Sequence, residues 1–445
     1  MADPRSLPKV DALAASEGLK PFPAEVRTKA SRNAVARLRK RIMNGSEIAA
    51  GEGEQMAEEE ACQLMQPALR PAINLSGVIL HTGLGRARLA SEAADQVFHA
   101  ASRHSVVEFD LESGKRGDRQ DQVRRLLTEL TGAEDALVVN NAAAAVFLTL
   151  NALAACREVI LSRGQMVEIG GSFRLPDIVR QSGCALAEVG CTNKTRLSDY
   201  SSAISDQTAA ILRCHPSNYK IVGFTEEPSV KELSDLCRGE RILLLDDVGA
   251  GCIVDVSRFG LPKQPTLQDS LKAGADIVMA SGDKLLGGPQ VGLILGKEEL
   301  VRQIAKHPLA RVVRVGKLSL AALEATLRLY STGRESEIPV IRYMSRPLDE
   351  VRRLGSRLAK AYPRESELSK GLTEVGGGSL PGEGIPTWRA GLAASDPEKL
   401  AKALRLNNPP IIGRIEDGKL WLDPRTAEPG EIKVVERALR EMGDH

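Results

Sequence analysis

The sequence lacks any apolar run long enough to cross a membrane. Its longest apolar run, residues 142–155, includes Thr149 and Asn151 and is shorter than the roughly 20 residues that a membrane helix needs. The first ten residues carry acidic, basic and proline residues without an apolar centre, which is unlike a secretory signal. We therefore expect a soluble cytoplasmic protein with no membrane partner.

Cysteine pairs and metal-binding histidine patterns are also missing. The 7 cysteines are scattered, odd in number and never in a C-x-x-C pair, which argues against a disulfide framework. None of the 6 histidines lies in an H-x-x-x-H spacing, so the sequence predicts no metal site. The net charge of +2 excludes a uniformly basic or acidic chain, but residues 27–41 are locally rich in arginine and lysine and an acidic stretch follows at 47–60.

The chain is long enough for two or three domains. Residues 1–66 form a predicted small helical domain with a basic helix over residues 23–43. Residues 67–335 form a predicted α/β domain, because short β-branched runs alternate with helical stretches, which is typical of a mostly parallel sheet covered on both faces. The predicted strands lie at 136–140, 158–162, 185–189, 209–213, 241–246, 276–281 and 291–296.

Residues 336–445 form a predicted smaller α+β domain after a polar linker at 331–337. Its clearest element is a hairpin over residues 410–423, with Asp417 and Gly418 as the tight turn.

Lys284 follows the predicted strand 276–281 in a loop rich in glycine. Ligands of α/β sheets bind beyond the carboxyl ends of the strands. A lysine desolvated there has a lowered pKa and can hold pyridoxal 5'-phosphate (PLP) as a Schiff base. The alternative is a solvated surface lysine.

Two further strand ends favour the cofactor site. Asp247 ends the strand at 241–246 and would pair with the pyridine nitrogen of PLP, although Asp246 or Asp247 could instead cap a helix. A third strand leads directly into a helix, whose free N–H groups and positive end suit a phosphate. The predicted phosphate contacts are Asn140, Asn141, Ala142, Ala143 and the hydroxyl of Ser281.

Long motifs throughout the chain resemble bacterial selenocysteine synthase, the L-seryl-tRNA(Sec) selenium transferase family. The motifs are Leu7-Pro-Lys-Val-Asp-Ala-Leu13, Ile73-Asn-Leu-Ser-Gly-Val-Ile-Leu-His-Thr-Gly-Leu-Gly-Arg-Ala87, Val167-Glu-Ile-Gly-Gly-Ser-Phe-Arg-Leu-Pro-Asp177, His215-Pro-Ser-Asn-Tyr219, Ser281-Gly-Asp-Lys-Leu-Leu-Gly-Gly-Pro-Gln290 and Ile412-Gly-Arg-Ile-Glu-Asp-Gly-Lys-Leu-Trp-Leu-Asp423. The resemblance implies the aspartate-aminotransferase-like PLP fold with a seven-stranded sheet.

The resemblance also implies roles for individual residues. Lys284 is then the Schiff-base lysine, with Asp283 and Asp247 as active-site acids. Selenophosphate, the selenium donor, is bound through arginines, and the matching positions here are Arg86, Arg311 and Arg314. Without the resemblance, Arg311 and Arg314 would be an ordinary pair on a solvated helix face. His215 is a candidate cofactor contact or a structural histidine, and Glu168 and Arg174 are candidate active-site neighbours.

The implied substrate is tRNA(Sec) charged with serine, which loses its β-hydroxyl and gains selenium. The basic N-terminal helix then has a predicted role in binding tRNA phosphates, with an ordinary charged helix face as the alternative. The predicted tRNA contacts are Arg27, Arg32, Arg37, Arg39 and Lys40. The resemblance further implies a homo-oligomer, a decamer of five dimers.

Two other functions remain open at this point. A PLP-dependent lyase or ammonia-lyase of the same superfamily would act on a small amino acid or sugar acid, since the fold and the lysine do not dictate the substrate. Such an enzyme would not need both the basic N-terminal domain and the three arginines. A PLP-carrying tRNA-binding protein without catalysis is disfavoured by the presence of Lys284, Asp247 and all three arginines.

Overall fold

The computed structural model describes residues 7–45, 48–169, 171, 173–216 and 218–442. The chain divides into two compact units, Met1–Ala72 and Ile73–His445. The first six residues, on which the expectation about a secretory signal partly depends, lie outside the described residues. Across the described part of the chain, no helix is both long and apolar enough to span a membrane.

The N-terminal unit is helical. Its helices are α1 (Val10–Ala14), α2 (Ala24–Met43) and α3 (Glu52–Met65). The predicted basic helix is confirmed as α2. One side of α2 buries apolar residues one turn apart, Ala30, Ala34 and Leu38, against Ala57 and Ala61 of α3. This packing leaves the opposite side of α2 to charged residues.

The larger unit contains sixteen strands and fourteen α-helices among the described residues. The strands are β1 (Ile73–Asn74), β2 (Val78–Leu80), β3 (Asp135–Val139), β4 (Glu158–Ser162), β5 (Glu168–Ile169), β6 (Phe173–Arg174), β7 (Ala185–Val189), β8 (Thr208–Cys214), β9 (Leu243–Gly249), β10 (Ile277–Ser281), β11 (Gly292–Gly296), β12 (Ser366–Gly376), β13 (Ser379–Leu392), β14 (Ile411–Ile412), β15 (Arg414–Glu416) and β16 (Lys419–Leu422). The helices are α4 (Ser91–Ser102), α5 (Asp121–Thr131), α6 (Ala142–Ala154), α7 (Leu175–Gln181), α8 (Leu197–Ala203), α9 (Val230–Glu240), α10 (Leu267–Lys272), α11 (Glu298–Lys306), α12 (Pro308–Val312), α13 (Lys317–Ser331), α14 (Pro339–Ser345), α15 (Leu348–Ala361), α16 (Pro397–Arg405) and α17 (Pro429–Glu441).

A seven-stranded sheet forms the centre of this unit, in the order β3-β11-β10-β9-β8-β4-β7. All seven predicted strands are present. Six run parallel and β11 is antiparallel to both of its neighbours, which confirms the mostly parallel aspartate-aminotransferase-like sheet. Parallel strands end at the same edge, so the register brings Cys214 of β8 beside Asp247 of β9.

Helices cover both faces of this sheet. Because side chains alternate along a strand, Leu244 of β9 packs into one apolar cluster and Leu245 into the other. The cluster around Leu245 contains Val146 and Leu148 of α6, whereas the cluster around Leu244 contains Leu127 of α5. The predicted three-layer arrangement is thus confirmed.

A second, five-stranded sheet has the order β15-β16-β13-β12-β2. The predicted hairpin turn is confirmed: Asp417 and Gly418 join β15 to β16 with φ values of 50° and 72°, as a type I′ turn requires. The hairpin is shorter than predicted, because Ile411–Ile412 pairs with β1 and not with β16. The sequence places Val78–Leu80 in the large domain, yet this strand pairs with β12.

Candidate active site

Lys284 is held in a tightly folded loop at the carboxyl end of β10. The loop closes on itself through Gly282 N–H donating to Val291 O (2.9 Å), and it is tied to the turn after β9 through Leu285 N–H donating to Ala250 O (3.0 Å). Gly251 in that turn has a φ of 69°, and a Cβ there would lie 2.1 Å from Ser281 O. These contacts bury Lys284, which is only 6% exposed.

Lys284 and Asp247 form an electrostatically coupled buried pair. Burial lowers the pKa of the Lys284 ammonium, and the nearby Asp247 carboxylate opposes this shift. Burial raises the pKa of Asp247 from 3.8 to about 6, and Lys284 opposes that shift. Cys214 Sγ lies 3.7 Å from Asp247 Oδ2 and can donate to it. A lysine of lowered pKa next to a buried carboxylate is the pair that a PLP site requires.

Asp246 has a different role from its neighbour. It is fully buried and pairs with Arg213, with Arg213 Nη1 2.9 Å from Asp246 Oδ1. Both aspartates lie within β9, so neither caps a helix. The helix-cap alternative is thereby excluded for both. Of the two, only Asp247 opposes the pKa shift of Lys284, and its pairing with the pyridine nitrogen stays a prediction.

The carboxylate of Asp283 contacts two other predicted site residues, Arg86 and Ser281. Arg86 Nη1 lies 2.8 Å from Asp283 Oδ2, and Ser281 Oγ donates to Asp283 Oδ1 at 2.6 Å. Arg86 adopts a positive φ of 61°, in a turn fixed by Ala87 N–H donating to Asp283 O (3.2 Å). Because the Ser281 hydroxyl already donates its hydrogen bond to Asp283, a phosphate contact by Ser281 stays a prediction.

The predicted phosphate loop leads into α6. Asn141 caps this helix, with its Oδ1 accepting from Ala144 N–H at 2.8 Å. The N–H groups of Ala142 and Ala143 belong to the first turn, where a helix offers no internal acceptor. They point with the positive helix end toward the edge where β3 ends, so they could hold a phosphate. Asn140 instead uses its backbone N–H to bind Val313 O at 3.0 Å.

His215 follows β8 directly, and its backbone is hydrogen-bonded to that of Asp247. Its backbone N–H donates to Asp247 O (2.9 Å), and its ring Nε2 lies 3.1 Å from Gln264 Oε1. Ring Nδ1 is buried without a partner among the described residues. Burial lowers the pKa of His215, which favours the neutral ring. An unpaired ring nitrogen on the residue that follows β8 suits a ligand contact.

These residues together fit PLP. The coupled amine of Lys284, the carboxylate of Asp247, the unpaired Nδ1 of His215 and the first-turn amides of α6 all belong to the same edge of the sheet. Each corresponds to one part of the cofactor: the aldehyde carbon, the ring nitrogen, the ring and the phosphate.

Arg311 and Arg314 lie in another part of this edge. Arg314 forms a backbone bridge with Val139 at the end of β3, and both arginines line a cavity together with Arg116 and Arg119. The structure therefore places Arg86 beside Asp283 and the other two predicted donor arginines beside the phosphate loop.

The remaining predicted residues lie on other elements of the chain. Glu168 and Arg174 form an exposed ion pair of 2.7 Å between β5 and β6. The predicted tRNA residues all lie on α2: Arg27 is partly buried, Arg37 pairs with Glu60 at 2.6 Å, and Arg32, Arg39 and Lys40 are exposed.

Sequence reasoning missed Cys214, Arg119 and Glu108. Cys214 could have been found from its position at the end of a predicted strand, opposite Asp247. Arg119 and Glu108 carry no such signal, because they end no predicted strand and Arg314, which joins their cluster, comes from a distant part of the chain.

Residues 72–428 match the family model of L-seryl-tRNA selenium transferase. The chain belongs to this family. An L-seryl-tRNA(Sec) selenium transferase of Hyphomonas neptunium is 45% identical over 98% of this chain and 98% of its own length. That of Carboxydothermus hydrogenoformans is 43% identical over 99% of this chain and 98% of its own length. The resemblance seen in the sequence is confirmed.

Solved structures support the same fold. The structure of D-glucosaminate-6-phosphate ammonia-lyase matches with a TM-score of 0.60 and 22% identity, covering 86% of this chain and 98% of that one. Within the described residues, no group of His, Cys, Asp and Glu side chains is arranged to hold a metal ion.

Proposed function

We propose that this protein converts L-seryl-tRNA(Sec) to L-selenocysteinyl-tRNA(Sec) in the cytoplasm, with PLP as cofactor and selenophosphate as selenium donor. The observation that carries the proposal is the buried, coupled pair of Lys284 and Asp247 in a chain of this family. We further propose three domains, residues 1–66, 67–335 and 336–445. The first would bind tRNA and the second would bind the cofactor.

The residues that would hold PLP are those at the carboxyl edge of the sheet. Lys284 would bind it covalently and Asp247 would pair with its ring nitrogen. Its phosphate would lie at the start of α6, and the predicted contacts there are Asn140, Asn141, Ala142, Ala143 and Ser281. His215 would contact the ring. When bound, PLP acts as an electron sink that makes loss of the seryl β-hydroxyl possible.

Lys284 is the residue best suited to move the α-proton of the seryl group. Burial lowers its pKa, so a larger fraction of the side chain is the neutral amine that can accept a proton near neutral pH. Asp283 holds Arg86 close to this amine through their 2.8 Å ion pair. Lys284 would thus act at the reacting carbon with Asp283 beside it, while Asp247 would act on the ring nitrogen.

The donor would be bound by arginines. A guanidinium stays charged at any relevant pH and pairs with two phosphate oxygens at once. We assign this role to Arg86, Arg311 and Arg314. Arg311 and Arg314 lie next to the phosphate loop, and Arg86 lies next to Lys284, so a donor between them would meet the reacting carbon.

The tRNA and the partner subunits would use other surfaces. The basic residues of α2, namely Arg27, Arg32, Arg37, Arg39 and Lys40, would bind tRNA phosphates. We also propose a homo-oligomer, a decamer of five dimers. Large apolar side chains that the single chain leaves exposed, such as Phe224 (88%), Val222 (85%) and Leu111 (75%), support contacts between subunits.

The function is tested by incubating the PLP-loaded protein with seryl-tRNA(Sec) and labelled selenophosphate. We expect label to appear in selenocysteine after mild hydrolysis of the tRNA ester, and no label with Lys284→Ala. A PLP-loaded protein that transferred no selenium, yet eliminated water or ammonia from a small amino acid or sugar acid, would show that the lyase alternative is correct.

A further inference from the structure

Glu108 lies at the centre of a cluster of arginines next to the phosphate loop. Its Oε2 is 2.6 Å from Arg116 Nη2, and its Oε1 accepts from Arg119 Nε at 2.8 Å. Arg119 Nη2 contacts the same oxygen, and Arg314 Nη1 lies 3.7 Å from it. Both carboxylate oxygens of Glu108 are therefore bound by guanidinium groups, as the oxygens of a bound phosphate would be.

The cluster carries more positive charge than Glu108 can neutralise. A cavity of about 330 Å³ is lined by five arginines and two carboxylates. One arginine, Arg124, is neutralised by Asp118 (2.6 Å) and Asp121 (2.8 Å). The other four, Arg116, Arg119, Arg311 and Arg314, line the cavity with Glu108, and within the described part of the chain none of them forms an ion pair with another carboxylate. Burial and the neighbouring Arg119 and Arg311 lower the pKa of Arg314, as expected where like charges crowd together.

The cluster is fixed to the edge of the sheet that holds the cofactor site. Arg119 Nη1 donates to Val315 O at 3.2 Å, and Asn140 N–H donates to Val313 O at 3.0 Å. Residues 313–315 thus run along the end of β3, directly before α6. Gln120, next to Arg119, is anchored to β3 at Val138 through two hydrogen bonds of 2.7 and 2.9 Å.

We propose that Glu108 is a resident carboxylate in an oxyanion site formed by Arg116, Arg119, Arg311 and Arg314, and that the phosphate group of the selenium donor displaces it. The inference rests on the proposed function and adds Arg116 and Arg119 to the donor site. Glu108 then limits binding to anions that outcompete a carboxylate, so a doubly or triply charged phosphate is favoured over weaker anions.

The proposal predicts the direction in which one isosteric substitution changes affinity. Glu108→Gln removes the competing charge but keeps the shape and an oxygen acceptor. Inorganic phosphate should bind roughly three- to tenfold more tightly, since a site that is open for only about 10 to 30% of the time weakens its ligand by that factor. Arg119→Gln should weaken phosphate binding, because a guanidinium is lost. Glu112→Gln is the matched control, since this exposed glutamate does not line the cavity.

The measurement is calorimetric titration of inorganic phosphate into the PLP-loaded, full-length protein in phosphate-free buffer of low salt. Thermal unfolding checks that each variant is folded. If Glu108→Gln does not fold, Glu108→Asp replaces it, since the shorter carboxylate cannot reach both Arg116 and Arg119 and should also tighten binding. Unchanged or weaker phosphate binding by the folded variant would overturn the proposal. Glu108 would then serve only to hold Arg116 and Arg119 in place.

A separate arm distinguishes the donor from the tRNA backbone as the source of the phosphate. Uncharged tRNA(Sec) is titrated into the same variants, and its affinity should not change with Glu108→Gln. Tighter tRNA binding without a change for inorganic phosphate would overturn the proposal and assign the cluster to RNA. Because phosphate binding is measured without selenium transfer, failure of this inference and failure of the proposed function give different results.

Discussion

Asp246 and Asp247 are adjacent in β9 and have opposite surroundings. Asp246 is neutralised by Arg213, 2.9 Å away, whereas Asp247 faces Lys284 and the thiol of Cys214. Burial of Asp247 without a close guanidinium is costly in the cofactor-free protein. A cationic ring nitrogen that pairs with Asp247 when the cofactor binds would offset the free energy of burying this carboxylate.

This cost gives the cofactor-free protein a defined pH dependence. The pKa of Asp247 is about 6 in the folded chain against 3.8 as its ordinary value, so the folded state holds the proton in this window. Its contribution to stability is therefore fully present below pH 3.8 and is lost as the pH rises through 6. Asp247→Asn should be more stable than the parent at pH 7 to 8, by on the order of 1 to 3 kcal/mol, with the difference vanishing toward pH 4. Urea unfolding of the cofactor-free proteins across this range measures it.

Asp246→Asn is the matched control one residue away. It removes the partner of the buried Arg213, which should destabilise the protein by about 3 to 5 kcal/mol. A loss of stability by Asp247→Asn at pH 8 as large as that of Asp246→Asn would show that Asp247, too, is a structural ion-pair residue.

Lys284→Ala should abolish covalent attachment of PLP. Borohydride reduction of the PLP-loaded parent fixes the cofactor to the amine that holds it, so peptide mass spectrometry should find the added mass on the peptide that contains Lys284. The variant should carry none, and selenium transfer should fall by several orders of magnitude with the loss of both the attachment point and the base. Lys297→Ala is the control, because Lys297 pairs with Asp276 (2.6 Å) on the surface. Label on any other lysine would contradict the assignment.

At the scale of secondary structure, the start of α6 depends on a glycine from another strand. Gly292 of β11 passes so close to the helix cap that a Cβ would lie 2.1 Å from Asn141 O. Only a residue without a side chain fits there, so the two elements fix each other and the phosphate loop becomes rigid.

Gly292→Ala should displace Asn141 and weaken PLP binding. The clash is with backbone, which cannot yield easily, so we expect a loss of about 1 to 3 kcal/mol in the free energy of unfolding together with a higher Kd for PLP. Urea unfolding and fluorescence titration with PLP measure these two quantities. Gly239→Ala, in an exposed and open part of α9, should instead stabilise the protein by about 0.5 to 1 kcal/mol. Unchanged PLP affinity in Gly292→Ala would mean that the start of α6 does not hold the phosphate.

The central sheet could be predicted because each strand is locally marked by a β-branched or apolar run, and most of these runs are buried on both faces, as in β8 and β10. Strand pairing across distant parts of the chain could not, and Ile411–Ile412 shows why. This run continues the apolar pattern of the hairpin, yet it pairs with Ile73–Asn74, more than 300 residues away in sequence. The chain at Gly413, between this run and β15, passes so close to β16 that a Cβ would lie 2.7 Å from Trp421 O. Likewise, Lys284 and Asp247 end recognisable strands, whereas the contact between Glu108 and Arg314 has no local pattern.

At the scale of the whole molecule, the chain separates its cofactor residues from its main basic helix. Lys284 and Asp247 belong to the unit Ile73–His445, and α2 belongs to the unit Met1–Ala72. The N-terminal unit has its own apolar core around Leu38 and Ala57. The charged surface of α2 is therefore supported by an apolar core within its own unit.

The exposed side of α2 makes a specific prediction for tRNA binding. Arg32 and Arg39 are two helical turns apart and lie on the same side, and Lys40 is next to them. All three are exposed and form no ion pair within the described part of the chain. Replacing them together with glutamine in the full-length protein should weaken binding of tRNA(Sec). Each lost phosphate contact should reduce the slope of log K against log salt by about 0.7 to 0.9.

Arg37→Gln provides the comparison, because Arg37 is already neutralised by Glu60 at 2.6 Å and should contribute less to tRNA binding. Filter binding across a range of salt concentrations measures both variants, and phosphate binding at the active site should stay unchanged in each. An equal effect of Arg37→Gln and of the triple variant would mean that overall charge attracts the tRNA. If the triple variant binds tRNA with the same salt dependence as the parent, α2 is an ordinary charged helix. Losing three unpaired cations that contact RNA phosphates would have to reduce the salt dependence of tRNA binding.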